Sequence, residues 1–179
     1  RTKPWMDCTE PPQQRIITER IRDAELAGIA LPAHEQERYN EIAARLSQLS
    51  TDFSNHVLDA TKAWELILDD PAAIEGMPET LKQLASQSFN DQADSDAGQG
   101  DSDQGPWRFT LDVPSAMPFL QHCRDRTLRE QLHLAYVTRA SVGELDNAPL
   151  IDEILQLRQE RATLLGYLSF AELSMVSKM

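Results

Sequence analysis

One long stretch, residues 31–64, constrains the fold more than any other part of the sequence. Pro32 stands near its start, and no other Pro or Gly occurs before Pro71. Pro32 suits a first helical turn, where its missing N–H would have no partner. Apolar residues then recur at steps of three and four, which is the spacing of one stripe on an α-helix. The stripe consists of Tyr39, Ile42, Leu46, Leu49, Phe53, Val57, Ala60 and Trp64.

A helix of this length limits what the rest of the chain can do. About thirty residues at about 1.5 Å each make a rod of roughly 45–50 Å, which is longer than a small domain. The rod must therefore pack against several other elements. We expect Phe53, in the middle of the stripe, to be a core residue. Asp52, one position off the stripe, is expected to be exposed.

A shorter helix precedes the rod. Thr9 is a suitable N-cap, Glu10-Pro11-Pro12 suits a first turn, and Gly28 fits the left-handed stop at the C-terminal end. The turn from Gly28 to Pro32 is short, so we expect an antiparallel helical hairpin. The apolar side of the first helix should face the rod. That side consists of Ile16, Ile17, Ile21 and Ala24.

After Trp64 the pattern changes from helical to extended. Residues 65–69 are typical of a short strand, and residues 107–113 alternate as a second strand does. We predict that the two pair as a small ribbon, which must lie against helices because a lone two-stranded ribbon is marginal in water. Trp64 and Trp107 flank the two strands and are expected to pack in the core.

Further helices are indicated by capping residues and by their apolar spacing. The fold class that follows is mainly α: a helical lobe with long antiparallel helices and a small two-stranded β-ribbon. The predicted helix starts are Met77-Pro78-Glu79, Ser115, Asp125 or Thr127, Asn147, and Ser169 with Glu172.

Residues 89–105 are rich in Asp, Ser, Gln and Gly, with one apolar residue at the start. Such a composition buries too little apolar area to offset the entropy of ordering. We interpret the segment as an acidic disordered insertion. The alternative is an acidic metal-binding loop, although Asp94 and Asp96 followed by Gly98 do not match the spacing of a calcium-binding loop.

The charge of the chain excludes several classes of function. A net charge of −12 and a pI near 4.7 argue against a nucleic-acid scaffold and against binding to anionic membranes. No apolar run approaches the ~20 residues of a transmembrane helix. Cys8 and Cys123 are far apart in sequence, so a disulfide is not implied, and a reduced pair in the cytoplasm is the preferred interpretation.

No residue pattern in the chain indicates catalysis or metal binding. A His-Glu-x-x-His helix would hold zinc on two His at i and i+4, but no two of the four His have that spacing. The nearest imitation begins at His34-Glu35, where Arg38 occupies the place of the second ligand. A cation cannot replace an imidazole ligand, so we interpret His34 and Glu35 as solvated residues of a first helical turn. We predict no catalytic, cofactor-binding or metal-binding residue in this chain.

Three smaller groups allow two interpretations each. His122 and Cys123 could form a nucleophile with its base, but adjacent residues on a helix point about 100° apart, so a partly buried pair at a helix end is preferred. A basic patch could contact substrate carboxylates, although salt bridges to neighbouring acids are preferred. Tyr136 and Tyr167 could line a cleft or lie at the edge of the core, and the second is preferred. The basic patch consists of Arg124, Arg126, Arg129 and Arg139.

The order and spacing of several segments resemble the oligopeptidase A branch of the thimet oligopeptidase–neurolysin family of zinc metallopeptidases. The resemblance covers the chain from about Ile16 onward, apart from residues 89–105, a connection that the family usually makes more compactly. The segments that carry it, besides 31–64, are IEGMPE at 74–79, FTLDVPS at 109–115, LRE at 128–130, Tyr136, TRAS at 138–141, ILQLR at 154–158, LLGY at 164–167, AELS at 171–174 and SKM at 177–179.

This resemblance is to the N-terminal, non-catalytic part of the family, whose zinc motif lies on a downstream helix. It implies a parent zinc oligopeptidase with two helical lobes around a channel that admits short peptides. The implied partners are short peptides and the downstream catalytic domain of the same chain, with zinc expected only in the full-length parent. None of the family's zinc ligands can be carried over, because no position here matches them. The start at Arg1 and the stop at Met179 within a helical pattern suggest a chain cut at both ends.

Two hypotheses of different classes therefore remain. The first is a fragment of a zinc metalloendopeptidase, in which residues 1–179 form part of the channel-shaping lobe and are inactive alone. The second is a free-standing helical module that binds peptides or a protein without catalysis. A third interpretation, an enzyme complete in itself, has no supporting motif.

Overall fold

The structure, a computed structural model, describes residues 10–92 and 101–178. It is mainly α-helical with one two-stranded antiparallel sheet, which confirms the predicted fold class. Two short 3₁₀ turns, Pro71–Ile74 and Gly143–Leu145, complete the regular structure of these residues. The helices and strands are α1 Pro11–Leu26, α2 Ala33–Lys62, β1 Glu65–Leu68, α3 Glu79–Asn90, β2 Trp107–Thr110, α4 Val113–His122, α5 Arg126–Val137, α6 Ala148–Leu164 and α7 Phe170–Met175.

The chain divides into two compact units. The first unit comprises Arg1–Thr51 and Pro149–Met179, and the second comprises Asp52–Ala148. Helix α2 belongs to the first unit up to Thr51 and to the second unit from Asp52.

The core of the second unit is built on the ribbon. Strands β1 and β2 pair antiparallel, with Leu66 opposite Phe109 and Leu68 opposite Trp107. These four side chains share one face of the ribbon because residues opposite each other in an antiparallel pair point the same way. The Phe109 ring meets the ring of Phe119 on α4 edge to face, with centroids 4.7 Å apart. The buried cluster consists of Leu66, Ile74, Met77, Leu81, Ala85, Trp107, Phe109, Leu111, Ala116, Phe119, Cys123 and Leu132.

The second strand is shorter than predicted. The sequence predicts a strand over residues 107–113 and a helix capped by Ser115, but β2 ends at Thr110 and α4 already begins at Val113. The Ser115 hydroxyl accepts a hydrogen bond from the Thr110 backbone N–H at 3.1 Å. Ser115 therefore ends the strand instead of capping the helix, and Pro114 occupies the first turn, where proline is tolerated.

The apolar stripe of α2 has the predicted helical phase. All its residues are buried or half-buried, and Tyr39, Ile42 and Leu49 are the buried ones within the helix. Phe53 is only half-buried and is not part of the buried cluster, so it is less buried than predicted. Asp52 is also half-buried, and the expectation that it is exposed is wrong as well.

The apolar side predicted for helix α1 is half-buried at Ile17, Ile21 and Ala24, and the antiparallel hairpin with α2 stays a prediction. None of the α1 residues is buried, and Ile16 is 59% exposed. The helix begins after Glu10, whose N–H donates to Gln13, while Thr9, the predicted cap, lies outside the described residues. Gly28 does provide the left-handed stop, with φ of +79°, and a Cβ there would lie 2.9 Å from the Tyr39 ring.

In the first unit α2 is joined to α6 by ion pairs. Arg38 forms a two-bond ion pair with Glu160, at 2.7 and 2.9 Å. Arg45 forms a second such pair with Glu153, at 2.6 and 2.7 Å. The residue number rises along α2 while it falls along α6, so the two helices run antiparallel. We call these two pairs the arginine–glutamate ladder.

Two of the predicted helix caps, Asp125 and Ser169, are confirmed. The Asp125 carboxylate accepts from the Thr127 N–H at 2.7 Å, and the Ser169 hydroxyl accepts from the Glu172 N–H at 3.2 Å. The side chain of Asn147, which directly precedes α6, reaches α2. Its amide donates to the Phe53 carbonyl at 3.2 Å and its oxygen lies 2.9 Å from Nδ1 of His56, so this buried side chain joins α2 to the start of α6.

The proposed insertion at residues 89–105 is described only at its two ends. Helix α3 continues to Asn90, and Asp101 pairs with Gly105 through two backbone hydrogen bonds. The Trp107 indole donates to the Ser102 carbonyl at 3.1 Å. Residues 93–100, with Asp94 and Asp96, lie outside the described residues, so the interpretation as an insertion remains a prediction.

Candidate functional site

The histidines of the chain do not come together. His34, His122 and His133 are exposed, and His56 is half-buried against Asn147. Within residues 10–92 and 101–178, no group of three or more His, Cys, Asp or Glu side chains is placed to hold a metal ion. The residues described here therefore do not fit a zinc centre, which needs three or four such ligands.

His34 and Glu35 occupy the start of α2, as predicted. The His34 side chain is exposed and lies 3.7 Å from the Glu35 carboxylate. Glu35 is half-buried and stands in the first turn, where the helix dipole favours a negative charge.

The pair His122–Cys123 is the end of a helix. His122 ends α4 and is exposed, whereas Cys123 is only 3% exposed and belongs to the buried cluster. The thiol lies 3.6 Å from the Asp125 carbonyl oxygen, and burial raises the pKa of Cys123. A raised pKa keeps the thiol protonated, so Cys123 is a packing residue and not an activated nucleophile.

The basic patch divides into different roles. Arg124 forms the predicted kind of salt bridge, at 2.8 Å from the Glu75 carboxylate. Two other arginines depart from that prediction. Arg129 donates to the carbonyl oxygens of Cys123 at 2.6 Å and of Arg124 at 2.9 Å, both in the connection between α4 and α5. The Arg139 guanidinium lies 4.0 Å above the ring of Tyr136.

The fourth arginine of the patch, Arg126, lines an open groove between α4 and α5. The groove has a volume of about 440 Å³. We call it the cationic groove, because its lining holds two guanidinium groups and one imidazole against a single carboxylate. It is lined by Leu120, Arg126, Arg129, Glu130 and His133.

A second concavity, of about 190 Å³, lies beside β2. The positively charged residue in its lining is Arg108, which donates to the Glu65 carboxylate at 2.6 Å and to the Ser88 hydroxyl at 2.9 Å. This guanidinium clamps the ribbon to α3, so it is committed to the fold and less available to a ligand than Arg126.

The aromatic candidates have structural positions. Trp107 is fully buried, and Trp64 is half-buried against the buried cluster, as predicted. Tyr136 is half-buried at the edge of that cluster, which agrees with the preferred interpretation. Tyr167 is half-buried.

The grouping of Glu130 and His133 with Arg126 was not predicted from the sequence. The available signal is their spacing, because residues at i, i+4 and i+7 share one face of a helix. The arginine–glutamate ladder was not predicted either, although Arg38 and Arg45 are seven residues apart, as are Glu153 and Glu160.

The sequence has clear relatives among known proteins. Residues 119–179 match Peptidase family M3. The chain is 44% identical to the probable cytosolic oligopeptidase A of Arabidopsis thaliana over 98% of its own length and 24% of that protein. It is 44% identical to oligopeptidase A of Haemophilus influenzae and 41% identical to that of Escherichia coli, in each case over 93% of this chain and 24% of the relative.

The chain thus spans about a quarter of the length of these curated relatives. Its identity to them runs through both units and through nearly all of the described residues. The chain belongs to the oligopeptidase A branch of peptidase family M3.

Proposed function

We propose that the chain is a segment of a zinc metalloendopeptidase that hydrolyses short peptides, and that it forms part of the lobe that shapes the substrate channel. The observation that carries this proposal is identity of 41–44% over 93–98% of the chain to proteins about four times as long. The segments quoted from the sequence support a position in the N-terminal, non-catalytic part of such a protein.

The zinc ion of the parent would be bound outside this segment. The described residues offer no cluster of ligands for it, and His56, the least exposed histidine, is held by Asn147. We therefore propose that this chain shapes the substrate channel and binds peptides, and that it does not activate water.

The proposed partners are short peptides and the downstream catalytic domain of the same polypeptide. The exposed apolar residues of helix α6 support the second proposed partner, the catalytic domain. Beyond the side that faces α2, it carries Ile151 and Leu155, one turn apart and 43% and 58% exposed. A helix with apolar residues on more than one side is normally buried on more than one side. We also propose a cytoplasmic location, supported by the name of the cytosolic relative in Arabidopsis thaliana.

No helix within the described residues has the length and apolar content needed to cross a membrane.

A chimera tests the proposal. The matching quarter of Escherichia coli oligopeptidase A is replaced by this chain, and hydrolysis of a short quenched-fluorescent peptide is measured. We expect the chimera to hydrolyse the peptide, with loss of activity on chelation and recovery with zinc. The 179-residue chain alone should show no zinc-dependent hydrolysis.

Two results would contradict this account. One is hydrolysis by the chain alone that a chelator abolishes and zinc restores, with contaminating proteases excluded. The other is a folded, zinc-loaded chimera with no activity. The parent Escherichia coli enzyme, assayed in parallel, is the positive control.

A further inference from the structure

The cationic groove is unusual for this chain because its charge is opposite to that of the protein. The whole chain has a net charge of −12. The groove lining carries Arg126 and Arg129 against Glu130, two positive charges against one negative, or +1 without counting His133. A local positive charge on an acidic protein attracts an anion to that one place.

Arg129 is held in position for such an anion. Its Nη1 donates to the backbone carbonyls of Cys123 and Arg124, which follow α4, at 2.6 and 2.9 Å. These bonds fix the planar guanidinium, so little side-chain entropy remains to be lost when its other N–H groups bind a ligand. Those other N–H groups have no hydrogen-bond partner among the described residues.

Arg126 is available as a second donor. It is exposed and makes no ion pair with any residue in the part of the chain that the structure describes. Glu130 follows one helical turn later, a spacing that permits an i,i+4 pair, yet the two side chains do not form one. Leu120 adds an apolar wall beside the charged groups.

We propose that the cationic groove binds the carboxylate of a short peptide, either at its C-terminus or on an acidic side chain. The proposal rests on the proposed function, which supplies the peptide. Two guanidinium groups match the two oxygens of a carboxylate, and the net charge of +1 suits one negative charge better than a dianionic phosphate. Leu120 would contact the aliphatic part of the peptide next to the carboxylate.

The experiment is a nuclear magnetic resonance titration of the 179-residue chain. The probes are acetyl-tetraalanine with a free C-terminus, the same peptide as its amide, and an acetylated, amidated tetrapeptide with one Glu. We expect signals of Leu120 and His133 to shift with the first and third peptides and not with the neutral amide. Equal shifts with the neutral amide would overturn the proposal, and a response to only one carboxylate peptide would identify the source.

Charge variants on one helix face sharpen the test. Arg126→Gln should weaken carboxylate binding about threefold, the range of one exposed ion pair. Glu130→Gln should tighten it by about twofold, because it removes a like charge from the groove. Arg20→Gln, an exposed arginine on α1, makes the same charge change elsewhere and should leave binding unchanged. An unchanged affinity in both groove variants would overturn the proposal.

The titration separates this proposal from the proposed function, because it does not measure hydrolysis. An inactive chimera with intact carboxylate binding would contradict only the proposed function. An active chimera whose groove ignores carboxylates would contradict only this inference.

Discussion

The second unit removes Trp107, Phe109 and Phe119 completely from solvent, while the largest fully buried side chains of the first unit are Ile42 and Leu49. In the second unit the ribbon, α3, α4 and α5 contribute to one buried cluster. In the first unit the arginine–glutamate ladder joins α2 to α6. Like the second unit, the first unit leaves several large apolar side chains exposed. Those residues include Ile16, Ile29, Ile151, Leu155 and Leu168.

This difference shows that the interactions that stabilise a unit need not be those that align its helices. Burial of large side chains supplies most of the folding free energy, whereas exposed ion pairs supply little even with good geometry. The ladder fixes which residue of α2 lies opposite which residue of α6, because each two-bond pair tolerates little sliding. The ladder thus aligns α2 with α6 and adds only modestly to stability, while buried residues such as Ile42 and Leu49 form the core of the first unit.

The largest expected effect is in the second unit. Phe119→Ala should lower the free energy of unfolding by about 3–5 kcal/mol, because it removes a fully buried ring and its contact with Phe109. Leu134→Ala, on the neighbouring helix and 52% exposed, is the control and should cost less than about 1 kcal/mol. Denaturant unfolding of both variants measures the difference, and similar costs would remove the basis for the comparison.

An intermediate effect is expected at the middle of α2. Phe53→Ala should cost about 1.5–2.5 kcal/mol, roughly half the value for a fully buried ring, because Phe53 is half-buried. Asn55→Ala, two positions along the helix and exposed, should change stability by no more than about 0.5 kcal/mol. A cost of Phe53→Ala as large as that of Phe119→Ala would show that the core extends along α2.

The smallest effect is expected from the ladder, and it depends on pH. Hydrogen bonds from Arg45 and Arg38 lower the pKa values of Glu153 and Glu160. A lowered folded-state pKa gives stability that is present above the unfolded pKa of about 4.3 and is lost as the pH falls through the folded value. The wild-type chain should therefore lose this stability as the pH falls below about 4.3. The double variant Glu153→Gln, Glu160→Gln should lose less stability over the same pH range.

Thermal melting across this pH range measures the ladder. Glu37→Gln, an exposed glutamate on α2, should keep the wild-type pH profile. A double variant with the same pH profile as wild type would show that the ladder contributes nothing to stability.

Sequence patterns predicted local structure well because the causes are local. The phase of α2, the stop at Gly28 and the cap at Asp125 all depend on residues within a few positions of one another. The two strands could also be found, because alternation and flanking Pro residues mark them.

Long-range partners could not be predicted in the same way. Periodicity shows which side of α2 is buried but not which element covers it, and Arg38 reaches Glu160 across 122 positions. Asn147 shows the same limit, since the sequence predicts it as a cap but does not indicate its contacts with Phe53 and His56. The cationic groove could be predicted only in part. The spacing along α5 predicts which residues share its helix face, but nothing in the sequence predicts that α4 forms its other wall.

Native-state hydrogen exchange tests most directly whether the second unit carries the stable core. It reports the free energy of opening at each amide. We predict the slowest exchange at amides of β2, α4 and α5, including Phe109, Phe119 and Leu132, and much faster exchange throughout α1. Exchange of α1 and α6 amides that is as slow as that of β2 and α4 would contradict the account.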